Sequence, residues 1–174
     1  MGFLNIEIKA SCSDPDGIEQ ILIGEKADYK GLDHQVDTYF NVPDGRLKLR
    51  EGNIENSLIF YKRDNISGPK ESHVQLYKTK PASGLKEVLF HSLGTKVIVD
   101  KKRKIFCIKN IKFHIDLVKD LGSFVEIEAI DKEGTIGQAK LEAQCERYIN
   151  KFGIKKSDLI SVSYSDLILK KENK

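Results

Sequence analysis

The sequence predicts a single α+β domain in which an antiparallel sheet of roughly eight strands carries helices on one of its faces. Three observations lead there. Short segments alternate apolar with polar residues at period two. Turn-forming Gly, Pro, Asn and Asp residues separate them at short intervals. Three or four longer segments repeat apolar residues at helical spacing instead.

Leu4 to Ala10 alternates, with Leu4, Ile6 and Ile8 on one parity and Asn5, Glu7 and Lys9 on the other. Ser13-Asp14-Pro15-Asp16 then starts a helix, with proline and acid in its first turn, and Ile18, Ile21 and Leu22 give it an apolar stripe. Lys30-Gly31 closes that unit. Strands are expected at Leu32–Asn41, Arg46–Glu51, Ser57–Arg63 and Ser72–Lys78, with a turn at Pro43-Asp44-Gly45 and a loop at Asn65–Lys70. Gly84–Leu93 reads as a helix with Leu85, Val88, Leu89 and Leu93 in register. Lys96–Ile108, Lys112–Val118 and Ser123–Ile130 are further strands. Ile136–Phe152 is the clearest helix, striped by Leu141, Cys145, Tyr148, Ile149 and Phe152 and stopped by Gly153. Ser157-Asp158 is expected to cap a last short helix, Leu159–Leu169. One domain therefore spans 1–174, with 170–174 as a frayed tail.

Composition narrows the class. Hydrophobic residues make up 40% of the 174 and charged residues 32%, enough apolar material for a core and too much for a disordered chain. The net charge of +3, from 29 basic and 26 acidic residues, gives no bulk argument for a nucleic-acid or anionic-membrane partner. Cys12, Cys107 and Cys145 are odd in number and far apart, which argues against a disulfide framework or a thiolate zinc site and suits a reducing compartment. Met1 to Lys9 carries Glu7 and Lys9 and has no apolar stretch of a signal peptide, and no run approaches the roughly 20 apolar residues of a membrane helix. A cytoplasmic location is expected.

The information about function lies in strand parity. Residues two apart share a face, so Glu7 joins Lys9, Arg46 joins Lys48 and Arg50, Lys101 joins Arg103, and Glu126 joins Glu128, with apolar residues opposite. The striped helices must cover the apolar faces, which leaves the charged faces on the far side of the sheet. That sheet is either open, with one wet charged face, or closed into a barrel with a charged lumen. A closed lumen needs partners for its charges: a polyanion for the cations and divalent metal for the carboxylates. The four histidines show no metal-ligand spacing. His114 shares a face with Asp116, Tyr39 and Tyr61 offer stacking platforms for a base although strand aromatics are more often packing residues, and Asp37 and Glu51 either pair with interior bases or lie at the surface.

The run His34-Gln35-Val36-Asp37-Thr38-Tyr39-Phe40, followed by Gly45-Arg46-Leu47-Lys48-Leu49-Arg50-Glu51, is the most specific piece of a resemblance that extends from Asn5 to about Leu169. Leu58–Arg63, Val99–Arg103, His114-Ile115-Asp116 and Leu121–Glu128 continue it in order. The chain resembles the CYTH superfamily, the triphosphate tunnel metalloenzymes, and within it the class IV (CyaB-like) adenylate cyclases, with thiamine triphosphatase as a relative. The resemblance implies an eight-stranded antiparallel closed β-barrel with helices packed outside. By the same resemblance Lys9, Lys48, Arg50, Arg63, Lys101 and Arg103 contact a triphosphate. Glu7, Asp116, Glu126 and Glu128 hold Mg²⁺ or Mn²⁺ or support its ligands, and Glu7, Lys9 and Arg103 carry the catalytic roles. The residue types suit phosphoryl transfer, which needs positioning and charge neutralisation more than covalent help. The implied activity is ATP cyclisation or triphosphate hydrolysis, with a non-catalytic polyphosphate- or nucleotide-binding module as the alternative. The implied partner is a triphosphate-containing small molecule, with no membrane, no nucleic acid beyond an RNA 5′ triphosphate, and a monomeric or homodimeric state. One departure stands out: the family's amino-terminal signature is Glu-x-Glu-x-Lys, whereas this chain reads Asn5-Ile6-Glu7-Ile8-Lys9. A neutral amide in place of the first carboxylate weakens a second metal site and bears on turnover more than on binding.

Overall fold

A computed structural model describes residues 2–81 and 83–173. Its strands are β1 (Gly2–Ser11), β2 (Asp28–Phe40), β3 (Arg46–Glu51), β4 (Ser57–Arg63), β5 (Lys70–Lys78), β6 (Thr95–Ile108), β7 (Ile111–Val118) and β8 (Gly122–Asp131). The helices are α1 (Pro15–Gly24), α2 (Leu85–Leu93), α3 (Gln138–Lys151) and α4 (Tyr164–Glu172), with a 3₁₀ turn at Lys156–Asp158. The strands close into an antiparallel barrel in the order β1-β5-β4-β3-β2-β6-β7-β8. Strand β1 makes the closure: it pairs with β5 from Gly2↔Gln75 to Glu7↔Lys70 and with β8 from Leu4↔Asp131 to Ser11↔Phe124. The open-sheet alternative is thereby settled in favour of the barrel, which leaves no unpaired strand edge.

Local chemistry explains the connections. Asp14 caps α1 by accepting the Gly17 N–H at 3.0 Å, and Pro15 occupies the first helical position. The β2–β3 hairpin turns at Gly45, whose φ of +68° and 2.8 Å approach to the Phe60 ring exclude a side chain. Gly137, ahead of α3, offers no side chain for a cap. Asp131, at the end of β8, instead accepts the N–H groups of Thr135, Ile136 and Gly137 at 3.1, 3.0 and 3.0 Å.

The main apolar core lies outside the barrel. Ile6, Ile8 and Ala10 of β1, Phe113 and Ile115 of β7, and Val125, Ile127 and Ala129 of β8 point outward under Ile18 and Leu22 of α1 and Leu141, Cys145 and Tyr148 of α3. Phe113 is the centre of this layer, fully buried, with ring centroids 4.5 Å from Tyr148 and 5.7 Å from Phe152. All three cysteines are free. Among the described residues no helix is long and apolar enough to cross a membrane.

Two helices depart from expectation. The segment α2 forms, but none of its residues is buried and Val88 is 64% exposed, so its stripe has no sheet face to cover. The last helix begins five residues later than expected and absorbs Lys170–Glu172 of the supposed tail, while Lys174 lies outside the described residues. The cause is a stronger cap: Ser163 and Asp166 form a reciprocal capping box. Leu159, expected inside the helix, instead bridges to Ala10 of β1.

Replacing Phe113 by Ala should cost about 3–5 kcal/mol, the range for deleting a buried aromatic ring. Urea denaturation followed by circular dichroism measures this, and a loss below about 1 kcal/mol would place the main core elsewhere.

Candidate functional site

Barrel closure turns the second parity of every strand inward. The lumen is a cavity of about 560 Å³, within the range of small-molecule sites. Nine lysine and arginine side chains and five carboxylates line it, an excess of four positive charges. The whole chain carries only +3. The charge that composition failed to reveal is therefore concentrated in the lumen. Buried Tyr164 of α4 closes one end, and the other end opens between Leu76, Lys78 and Lys132.

The lumen contains three ionic clusters. In the first, Asp37 of β2 holds three cations: it takes Arg50 Nε and Nη2 at 2.9 Å each, Lys101 Nζ at 2.8 Å and Lys48 Nζ at 3.0 Å. Register explains the convergence, since Asp37 lies opposite Arg50 on one side and Val99 on the other, which puts Lys48 and Lys101 one same-face step away. Burial works against ionising Asp37, but Arg50, Lys101 and Lys48 outweigh it and hold the carboxyl well below the usual range. Burial also dominates at Lys101, and although Asp37 resists, its ammonium falls to about 7.

In the second cluster Arg103 of β6 lies between two carboxylates. It donates Nε and Nη2 to Asp116 at 2.7 and 2.6 Å, and Nη2 also to Glu126 at 2.9 Å. Tyr164 donates its hydroxyl to Asp116 at 2.8 Å. Lys9 sits 3.3 Å from Glu126 and 3.9 Å above the Tyr164 ring.

The third cluster joins Glu7 to Arg63, and Glu128 to His114, whose Nδ1 stands 3.3 Å from Glu126 and 3.8 Å from Glu128. Ligand atoms of His114, Glu126 and Glu128 all lie within 4.8 Å of one another, close enough to share a cation. Nearby polar atoms are left without partners: Arg63 Nε and Nη2, His114 Nε2 and Asn5 Oδ1 are buried with no hydrogen bond. A site with spare donors on a guanidinium and converging carboxylates has room for both an anion and a metal.

Nine of the ten residues singled out from the sequence line this cavity: Glu7, Lys9, Lys48, Arg50, Arg63, Lys101, Arg103, Glu126 and Glu128. Asp116 stands apart, 1% exposed behind Arg103, with its oxygens taken up by Arg103 and Tyr164. His114 faces Glu126 and Glu128 rather than Asp116. Of the pair left open, Asp37 lies inside and Glu51 outside, where Lys86 of α2 holds it at 2.9 Å. Sequence reasoning passed over Lys112, Glu55 and Tyr164. Lys112 was legible, because it shares parity with His114. Glu55 sits in a loop and Tyr164 in the first turn of a helix, where alternation carries no signal.

The CYTH domain family model matches residues 4–164. The chain belongs to the CYTH family. No curated protein matches it. Among solved structures, the CYTH chain resembles the PH1012 protein of Pyrococcus horikoshii at 22% identity and a TM-score of 0.77, over 94% of this chain and 98% of that one. A candidate adenylate cyclase from Vibrio parahaemolyticus matches at 15% identity and a TM-score of 0.77, over 97% and 99%. A candidate adenylyl cyclase from Hippeastrum, described as having a dominant triphosphatase activity, matches at 10% identity and a TM-score of 0.59, over 99% and 96%. At these identities the likeness carries the barrel, and the CYTH lumen itself must carry the chemistry.

Removing the Asp37 carboxylate strands three buried cations. Asp37→Ala should destabilise the protein by about 3–5 kcal/mol, read by urea unfolding in phosphate-free buffer. An unchanged midpoint would mean that water alone satisfies Lys48, Arg50 and Lys101.

Proposed function

We propose that this CYTH chain binds a triphosphate in its lumen and, with Mg²⁺ or Mn²⁺, cleaves its phosphoanhydride bonds, by hydrolysis or by cyclising ATP. The observation that carries this reading is the excess of four positive charges in the lumen of a closed barrel, set beside converging carboxylates. Lys9 and Arg63 serve the deep end of a bound triphosphate, and Lys48, Arg50, Lys101 and Arg103 its length. Arg offers paired N–H donors to phosphate oxygens and Lys a point charge. The ion pairs with Asp37 and Glu126 keep Lys48, Arg50 and Arg103 extended and charged before a ligand arrives, which lowers the cost of organising the site.

Glu126 and Glu128, with Glu7 and His114 beside them, are the residues that would hold the metal, and their oxygen donors suit a hard divalent cation. When bound, that cation neutralises phosphate charge and activates the attacking oxygen. Asp116 acts from behind: gripping Arg103 through two bonds, it fixes the guanidinium plane and shares that task with Tyr164.

Asn5 favours a second reading, a tunnel that binds without turnover, because a buried amide oxygen stands where the family has a carboxylate. Product analysis separates the readings. The protein is incubated with ATP or inorganic triphosphate and Mg²⁺ or Mn²⁺. Cyclic AMP with pyrophosphate makes it a cyclase, phosphate release a triphosphatase, and a ligand-induced rise in melting temperature without products a binder. Arg50→Ala and Glu128→Ala should each abolish turnover or ligand-induced stabilisation while the far-ultraviolet spectrum stays native; undiminished binding in both variants would falsify the tunnel assignment.

Binding should also move a proton. With its pKa near 7, Lys101 is largely neutral in the free protein above that pH, and a polyanion stabilises the protonated form. Binding at about pH 8 should therefore take up a proton, and affinity should fall as pH rises from neutrality. Titration calorimetry in two buffers of different ionisation enthalpy reads the uptake directly. Superimposable heats would show Lys101 already charged in the free protein.

A further inference from the structure

We infer that Glu55 is a specificity-determining residue that turns the open mouth of the lumen against anionic ligand ends and toward triphosphates whose outer end is a neutral, hydroxyl-bearing group. The inference rests on the triphosphate reading above and adds what the mouth selects.

Glu55 lies in the β3–β4 loop, yet its carboxylate reaches inward across the mouth. Oε1 takes Lys112 Nζ of β7 at 2.8 Å, and Oε2 takes Arg50 Nη1 of β3 at 3.0 Å and Gln35 Nε2 of β2 at 3.2 Å. In barrel order β3 and β7 are three strands apart, so a single side chain ties two well-separated walls together. Burial opposes the charge on Glu55, but Arg50 and Lys112 prevail and keep the carboxyl ionised far below its ordinary range.

The loop is built to hold it there. Asp33, fully buried, accepts the N–H groups of both Ile54 and Glu55 at 2.9 Å and the Gln35 amide at 2.8 Å. The Asn56 side chain bonds the Gly52 backbone twice, at 3.2 and 2.9 Å. Gly52 packs so closely that a Cβ would stand 2.7 Å from Asp33 Oδ1. Glu55 is thus fixed through its own backbone by a carboxylate that faces no solvent.

This fixed charge divides the lumen by depth. At the closed end Arg63 keeps two unpartnered N–H donors. At the mouth, the cations on the walls already have carboxylate partners before any ligand arrives, since Arg50 gives Nε and Nη2 to Asp37 and Nη1 to Glu55, and Lys112 gives its ammonium to Glu55. A phosphate lodged at the mouth would have to displace a backbone-anchored anion and would meet it as a like charge. A hydroxyl there can donate to Glu55 instead, and Phe3, Ile54 and Ile130 line the same mouth and suit an organic group. Lys78 and Lys132 also reach the rim, but they are exposed and screened by solvent, so they attract anions only weakly.

The test compares binding of inorganic tripolyphosphate and of ATP by calorimetry, in EDTA to prevent turnover, for the wild type, Glu55→Gln and Arg103→Ala. Glu55→Gln keeps the side-chain shape and removes the charge. It should tighten tripolyphosphate binding by about tenfold or more while shifting ATP by less than about threefold. Equal shifts for both ligands, or no shift for either, would overturn the role of Glu55. If Arg103→Ala weakens both ligands while Glu55→Gln leaves their ratio unchanged, the triphosphate reading stands and only this inference falls. If the wild type binds neither ligand, both fall.

Discussion

The constraint on which this structure depends is the burial of cations inside a closed barrel. An ammonium or guanidinium removed from water is tolerated only when a carboxylate or another acceptor meets it. The lumen answers with one carboxylate for several cations: Asp37 serves Lys48, Arg50 and Lys101, and Glu126 serves Lys9 and Arg103. Because each carboxylate is shared, the cations outnumber their partners. The shortfall gives the cavity its positive potential, and it exists only because the pairing is incomplete.

The outer layer makes that arrangement affordable. Stability comes from Ile6, Ile8, Phe113, Val125 and Ile127 packed beneath α1 and α3, on the opposite faces of the strands that carry the site. Strands β1, β7 and β8 therefore do two jobs on alternate residues, core outside and chemistry inside. A one-residue slip of β1 would exchange Ile6 and Ile8 with Glu7 and Lys9 and lose both. Pairing with β5 on one side and β8 on the other pins that register.

The same division decides what could be read from the chain beforehand. Strands β3 and β4 were legible to the residue, because Arg46-Leu47-Lys48-Leu49-Arg50 alternates without a break and Ser57–Arg63 is bounded by turn residues. Eight lumen residues, Glu7, Lys9, Lys48, Arg50, Lys101, Arg103, Glu126 and Glu128, followed from parity, and Arg63 only from the family resemblance. Legibility ended where the backbone leaves the strands. Glu55 enters the lumen through a loop folded around Asp33, and Tyr164 through the first turn of a helix whose start is set by Ser163 and Asp166. Lys70, expected in a loop, begins β5 and is buried, with its ammonium on the Ile66, Ile160 and Ser161 carbonyls. A lysine alone in a polar loop gives no sign of such a bond, which forms between segments some ninety residues apart. The apolar stripe of α2 misled in the opposite sense, since periodicity reports a helix but not whether a sheet waits beneath it.

The double pairing of β1 also governs the order in which the protein can assemble as it is made. Strand β1 leaves the ribosome before β8, which follows more than a hundred residues later, and must wait for it before its second edge is covered. Until then the barrel is a curved sheet with two open edges, and its future lumen is in water, where the cations later buried there cost little to keep charged. The penalty of enclosing them falls due in the final step, when β8 docks on β1 and the outer helices close over the seam. Such long-range closure is slow by nature and leaves sticky edges exposed meanwhile. The buried cations of the lumen are therefore enclosed last, by the same two seams of β1 that fix its register.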